Sequence, residues 1–390
     1  MATTFGGAVD RIGGEPISAR MARKAPIRHL DPTLLLMTLA LSAFGALMIF
    51  SSTATRQEEA GADPALFMKR QIAYIIAGVV ALLIVSFFDY RHVRALAPAI
   101  YGATFLALVL VLTPLGDEQN NAQSWFDLGL FQIQPSEFGK LALIIAMAAW
   151  LAERKGEVRW TDLGVCLALA VALSALIFIE PDLGGTMVIV AIFFVMLLVG
   201  GAKFRHFVAL GVIGAVAMFG ALQVDLIEPY QIERITAFLD PSPDIRSEGY
   251  NLTQAKIAIA SGGFRGKGVG SENTQTDLDF VPEQHTDFIF TAVGEQLGFV
   301  GGAALLGLYA VLIWRSLRIA ALSRDSFGTL VAAGIAGMWG FQLFVNVGMT
   351  MGIMPITGLP LPFVSFGGSG LLMNFMAVGL LLNIHMRRFL

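Results

Sequence analysis

Charge is scarce in this chain. Asp, Glu, Lys and Arg make up 14% of its 390 residues, against roughly 25% in a soluble globular protein. The 56% that are hydrophobic present more apolar surface than a soluble fold can cover. Cysteine is scarcer still. Cys166 is the only one, within an apolar run, so neither a disulfide framework nor a thiolate metal centre can be assembled, and it reads as packing. The apolar run Leu34–Phe50 is too long for a typical signal core and lacks a convincing cleavage site, so it is expected to be a retained first span. No internal repeat is apparent, which weakens a transporter built from inverted halves.

What the chain does have is a series of apolar segments, each long enough to cross a hydrocarbon core of about 30 Å. They fall at 31–52, 70–89, 94–113, 136–153, 163–180, 184–200, 204–222, 287–314, 327–351 and 364–386. The expected fold is an all-α polytopic membrane protein of about ten transmembrane helices. A tail, 1–30, precedes a membrane domain, 31–390, with one large extracytoplasmic loop, 223–286, between spans seven and eight. Short cytoplasmic loops collect Lys and Arg. Here basic residues crowd the tail (Arg11, Arg20, Arg23, Lys24, Arg28) and then alternate loops, at Arg91 and Arg94, at Arg154, Lys155 and Arg159, at Lys203 and Arg205, and at Arg315, Arg318 and Arg324. Arg387 and Arg388 complete the pattern. The connections 114–135, 180–184 and 352–363 carry none. This alternation predicts both termini in the cytoplasm.

The loop 223–286 breaks the charge rule, as long loops do, carrying Arg234, Arg246, Lys256, Arg265 and Lys267. Leu252, Ala255, Ile259 and Ala260 have helical spacing, which predicts a short amphipathic helix on the membrane surface over 250–261. A glycine-rich turn, Ser261–Gly270, follows. Its backbone N–H groups with Arg265 and Lys267 suit a phosphate or pyrophosphate, although glycine-rich loops are common.

Ionisable residues at the edge of a span are costly and mark candidate sites. In Gln134-Pro135-Ser136-Glu137-Phe138-Gly139-Lys140, the acid and base lie three apart on one helix face. They read equally as a structural ion pair or as the wall of a polar cavity. Glu180-Pro181-Asp182 is a tight turn whose two acids suit a metal or a basic partner, or are simply solvated. Glu283, His285 and Asp287 crowd titratable groups where span eight begins. Asp287 reads as a helix cap or, more strongly, as a general base tuned by nearby charge and partial desolvation. Glu295, deeper in that span, is expected to be hydrogen-bonded for structure. Finally, Asn346–Met349 and Pro355–Gly370, the latter containing Ser365, concentrate Pro and Gly at the outer ends of two spans. Irregular backbone there is tolerated only against protein or a water-filled cleft.

Taken together, Gln134–Lys140, Glu180–Gly185, the run Gly249–Gly301 and Asn346–Gly370 resemble the SEDS family (shape, elongation, division and sporulation). The likeness extends over residues 31–386 and leans toward the elongation branch at Asn346–Met349 and Gly358–Pro362. One departure is Phe366-Gly367-Gly368-Ser369-Gly370, where the family usually has Tyr and a second Ser. The resemblance implies a peptidoglycan glycosyltransferase of the cytoplasmic (inner) membrane that polymerises lipid II during cell elongation. It places the catalytic base at Asp287, which would deprotonate the 4-hydroxyl of the acceptor GlcNAc for attack on the donor MurNAc, expelling undecaprenyl pyrophosphate. Glu137, Lys140, Asp182, Arg265, Lys267, Glu283, His285 and Ser365 are candidate substrate-binding residues. A divalent cation, magnesium or manganese, is a candidate cofactor. The implied partners are a class B penicillin-binding protein transpeptidase, lipid II and the nascent glycan strand, membrane lipids and other elongation proteins, with no nucleic acid. The same chemistry in the division branch, a lipid II flippase and a non-catalytic scaffold are the alternatives. The clustering of candidates at one end of the spans favours an enzyme over a flippase.

Overall fold

The computed structural model describes residues 29–119, 122–127, 129, 131–154, 156–223, 248–271, 274–276 and 283–388. The tail 1–28 and the loop residues Arg234, Arg246 and Pro282 lie outside these. Twelve α-helices, a short 3₁₀ turn and a small sheet are seen among the described residues. They run α1 (Pro32–Glu59), α2 (Leu66–Phe87), α3 (Tyr90–Ala95), α4 (Ala97–Val111), β1 (Asp117–Gln119), β2 (Ala122–Asp127), β3 (Gln132–Ile133), α5 (Pro135–Leu151) and α6 (Trp160–Ile179). Then come α7 (Leu183–Val199), α8 (Phe204–Gln223), α9 (Glu248–Gly262), α10 (Ile289–Ala321), α11 (Ser326–Met351) and α12 (Gly368–Arg387). Seven of the helices are long and apolar enough to cross a membrane, and α4, α7 and α8 are shorter apolar helices. Together they account for the ten expected spans. The protein is a multi-span α-helical membrane protein.

Local chemistry sets the helix starts. Asp31, Asp182 and Asp325 cap α1, α7 and α11, each accepting from backbone N–H groups of the first turn. Pro32 and Pro135 occupy first-turn positions where no N–H is needed. The bundle interior is α5, α11 and α12, whose most apolar windows are 72%, 72% and 83% buried, against 22% for α2. Small residues let neighbours close in. A Cβ at Gly78 of α2 would collide with the Phe375 ring of α12, and one at Gly379 would meet the Leu82 carbonyl, the close approach expected where lipid supplies no hydrophobic drive. Cys166 is buried within this packing.

The large loop differs from expectation in its surroundings. The helix appears as α9, but Leu252, Ala255 and Ala258 are buried, and Leu252 and Ala255 cluster with Phe288 and Ile356. Protein therefore covers this face. Ala258 takes the inward place expected of Ala260, which is exposed. The connection 114–135 also holds a three-stranded antiparallel sheet, β1-β2-β3, that residue patterning did not indicate.

Helix α10 breaks at Gly298, with φ 64° and ψ −160°, a region essentially reserved for glycine. The glycine-rich turn docks there. The N–H groups of Lys267 and Gly268 donate to the carbonyls of Glu295 (3.0 Å) and Gln296 (2.9 Å), while Phe299 and Val300 donate back to Gly263 (2.9 Å) and Phe264 (3.2 Å). Each irregular segment satisfies the other's backbone, as a membrane interior requires.

Candidate active site

At the end of the bundle where α5, α7 and α12 begin, a cavity of about 510 Å³ opens, a size suited to a substantial ligand. Its wall includes five carboxylates, Glu137, Glu180, Asp182, Glu283 and Asp287, and among the described residues no Lys or Arg. Glu137 of α5 forms an ion pair with Lys140 one turn on, Nζ to Oε1 2.5 Å, and Lys140 is fully buried behind it. The cavity thus meets a carboxylate whose compensating charge lies on its protein side. Gly370 leaves room for this group, since a Cβ there would stand 3.2 Å from the Glu137 Oε2.

Glu180 and Asp182 sit in the turn between α6 and α7. Asp182 caps α7 through Gly185 N–H at 2.6 Å. Glu180 is 1% exposed, and neither of its carboxylate oxygens meets a hydrogen-bond partner in good geometry. Burial pushes its carboxyl up to about 8, reinforced by the Asp182 charge and opposed by Ser124.

Asp287 lies in the turn 283–288 that precedes α10. It is not the helix cap: the N-cap position is Phe288, with no side-chain capping bond. Its own amide donates to the Glu283 carbonyl at 3.1 Å, and Glu283 holds a left-handed backbone, φ 50°. The turn is tied to α11 by one bond and to the segment between α11 and α12 by two. Asn346 Nδ2 donates to the Asp287 carbonyl (2.9 Å), Ser365 Oγ to the Thr286 carbonyl (2.5 Å), and Phe366 N–H to the His285 carbonyl (2.9 Å). Gly358, with φ 69°, faces the Asp287 carboxylate, and a Cβ there would lie 3.4 Å from Oδ2.

The fold brings Glu137, Asp182, Glu283, Asp287 and Ser365 to one cavity and leaves four other candidates off its wall. Lys140 stands behind Glu137. His285 packs between Phe67 (centroids 4.9 Å apart) and Phe366 (5.6 Å). Arg265 is exposed on the glycine turn. Lys267 is bound at 2.7 Å to Glu295, which also accepts from Gln275 and Thr276. The turn's N–H groups at 266, 267 and 268 are spent on carbonyls of Gly262, Glu295 and Gln296, so the proposed pyrophosphate cradle is occupied by the protein's own backbone. Glu295 is fully buried and hydrogen-bonded, as its depth suggested.

Other wall residues escaped sequence reasoning: Tyr74, Trp125, Gln132, Gln342 and Asn374. The in-span amides Gln342 and Asn374 were the available signal, because such groups rarely face lipid. For Trp125, a large aromatic in a polar connection was the clue. Gln342 is 1% exposed and its Oε1 has no partner among the described residues. Together with Glu180 it gives the cavity wall unsatisfied oxygen acceptors, a match for a ligand rich in O–H and N–H donors.

The cavity and bundle define a polytopic membrane protein with an acidic, ligand-sized pocket at one end of its spans. The family model for the FtsW, RodA and SpoVE cell cycle proteins matches residues 32–389, and the chain belongs to that family. It is 39% identical to the stage V sporulation protein E of Bacillus subtilis (strain 168), over 91% of this chain and 96% of that protein. It is 37% identical to the peptidoglycan glycosyltransferase MrdB of Escherichia coli (strain K12), over 92% and 94%. Among solved structures, a chain from a peptidoglycan synthase complex that coordinates polymerization and crosslinking superposes with a TM-score of 0.77 at 33% identity, covering 92% of this chain and 98% of that one.

Proposed function

We infer that this chain is a peptidoglycan glycosyltransferase that polymerises lipid II at the outer face of the inner membrane during cell elongation, with Asp287 as general base. The setting of Asp287 carries the reading: a carboxylate at the cavity wall, one residue before the N-cap position of α10, held through its backbone by Asn346 and faced by a glycine. In the proposed reaction Asp287 takes the proton of the acceptor GlcNAc 4-hydroxyl as that oxygen bonds to the donor's anomeric carbon. The bond from that carbon to the pyrophosphate oxygen breaks, and the undecaprenyl pyrophosphate leaves with its electron pair. Inversion at that carbon needs one base and a stabilised leaving group, unlike the two-carboxylate hydrolases.

With Arg265 and Lys267 off the cavity wall, charge stabilisation of the pyrophosphate falls to other groups. No three metal-ligating side chains cluster among the described residues. The cavity wall would offer Mg²⁺ or Mn²⁺ carboxylates, Asp287 among them, a donor set to be completed by substrate phosphate oxygens and water. A bound cation would supply Lewis-acid stabilisation of the leaving group. Joint action with a class B penicillin-binding protein is supported by the similar chain's place in a peptidoglycan synthase complex. The decisive test is polymerisation of fluorescent lipid II by purified protein. Asp287→Ala should fold and fail to extend the substrate, and normal chain growth would remove Asp287 from the mechanism. Translocation of lipid II without polymerisation by the unaltered protein would favour the flippase reading.

A further inference from the structure

Three aromatic rings run in a row from the segment that faces Asp287 to the small sheet. Phe366 stands 5.9 Å from Tyr74, and Tyr74 stands 5.8 Å from Phe131. Successive rings are tilted by 53° and 51°, so none lies flat on its neighbour and covers its face. Phe366 and Tyr74 are half-buried and Phe131 is 43% exposed. Phe67 and His285 back Phe366 at 5.2 and 5.6 Å, and the Phe366 N–H donates to the His285 carbonyl, which joins the row to the turn bearing Asp287. The far end is fixed as well. Ser369 Oγ accepts from the Gln134 N–H at 2.9 Å and donates to the Gln132 carbonyl at 2.8 Å, tying the strand beside Phe131 to the start of α12. Gly368 lets the chain pass close to the Tyr74 ring, since a Cβ there would stand 3.0 Å from it.

Aromatic side chains near the end of a span commonly sit among lipid headgroups. Here Tyr74 and Phe366 belong instead to the wall of the acidic cavity, beside Gln132, Glu283 and Thr286. A ligand that meets ring faces and carboxylates side by side must itself be two-sided. A pyranose is such a ligand. Its axial C–H groups make a weakly positive apolar face that suits the negative face of an aromatic ring, while its hydroxyl and acetamido N–H groups donate to carboxylate and amide oxygens. The spacing supplies a second match, because 5.8–5.9 Å between ring centroids is close to the length of one unit in a β-1,4-linked strand. We propose that Phe366, Tyr74 and Phe131 form a stacking platform for consecutive sugars of a β-1,4-linked amino-sugar strand, adjoining the unit that reacts at Asp287. The platform rests on the glycosyltransferase reading of the cavity and adds to it a grip on the strand beyond the reacting bond.

The test titrates the full-length protein in lipid nanodiscs with soluble β-1,4-linked N-acetylglucosamine oligomers of two to six units, followed by calorimetry, and runs lipid II polymerisation on the same preparation. Affinity should rise several-fold with each added unit up to four, one for the reacting position and one for each ring, and then level off. Phe131→Ala should weaken the tetramer several-fold and the dimer much less, while Phe131→Trp keeps the tetramer tight. Strands made from lipid II by Phe131→Ala should be shorter than those of the unaltered protein at equal conversion. An unchanged thermal midpoint shows that the Ala variant folds, and should it not fold, the length dependence of the unaltered protein still decides. No binding, binding without length dependence, or full tetramer affinity in a folded Phe131→Ala variant overturns the platform, whether or not the preparation polymerises lipid II. Length-dependent binding by a preparation that never polymerises would instead remove the glycosyltransferase reading and keep the saccharide site.

Discussion

One amide nitrogen, Asn346 Nδ2, donates to two carbonyls from different segments, Asp287 at 2.9 Å and Leu359 at 2.7 Å. Asn346 lies near the C-terminal end of α11 and is fully buried. It joins the turn bearing the proposed base to the irregular segment facing it. Neither carbonyl belongs to a regular helix, so losing this donor leaves buried acceptors unpaired, at about 1–3 kcal/mol.

Asn346→Leu should accordingly reduce polymerisation by at least tenfold while the chain still inserts and folds. The expected loss is in kcat more than in KM, because the donor positions Asp287 through its backbone and is not itself on the cavity wall. Unchanged kcat in a folded variant would show that the turn is held adequately by Ser365 and Phe366 alone.

Glu180 gives a pH signature. Its carboxyl, raised from 4.5 to about 8 chiefly by burial, holds a proton in the folded chain that the unfolded chain has released. Stability should therefore fall as pH rises between about 4.5 and 8 and level off above that window. Glu180→Gln removes the titration. The melting midpoint of the unaltered protein should decline relative to that of the Gln variant between pH 5.5 and 8, and parallel curves would contradict the assignment.

The spans were legible because each is a continuous apolar run, and the charge alternation needs only loop composition. The carboxylates that line the cavity were legible too, since acids at span edges are costly. Contacts between distant segments were not. Nothing local to Ser261–Gly270 reveals that its N–H groups face the broken turn at Gly298, so a glycine-rich loop looked like an anion cradle. Strands of two to six residues carry too little alternation to be seen, which hid Trp125 and Gln132. Choosing between Ala258 and Ala260 depended on where α9 docks, a property of α10 and α11 and not of the loop.

The Glu137–Lys140 pair allows a thermodynamic cycle. Lys140→Met leaves a buried carboxylate uncompensated and should cost about 3–5 kcal/mol, whereas replacing both charges by neutral groups of similar size should cost far less. Thermal unfolding of Lys140→Met, Glu137→Gln and the double variant measures the coupling. Additive losses would mean that the two side chains are stabilised independently, contrary to the 2.5 Å contact.

Gly298 tests whether the loop and the kinked helix form one unit. Alanine there must hold φ 64°, ψ −160°, a strain of order 1–3 kcal/mol, and its Cβ would sit 2.3 Å from the Gly266 nitrogen. Backbone atoms cannot yield as a flexible side chain can, so Gly298→Ala should release the turn 263–268 from α10 and break the bonds to Glu295 and Gln296. The Lys267–Glu295 pair would loosen with it, uncovering a buried carboxylate. Limited proteolysis should then cut within 263–271 much faster than in the unaltered protein, and hydrogen exchange should rise at Lys267, Gly268, Phe299 and Val300. If α10 instead straightened into a regular helix, exchange at Phe299 and Val300 would slow while cleavage in the turn rose. Unchanged protection at all four amides would show that the docking does not depend on this glycine.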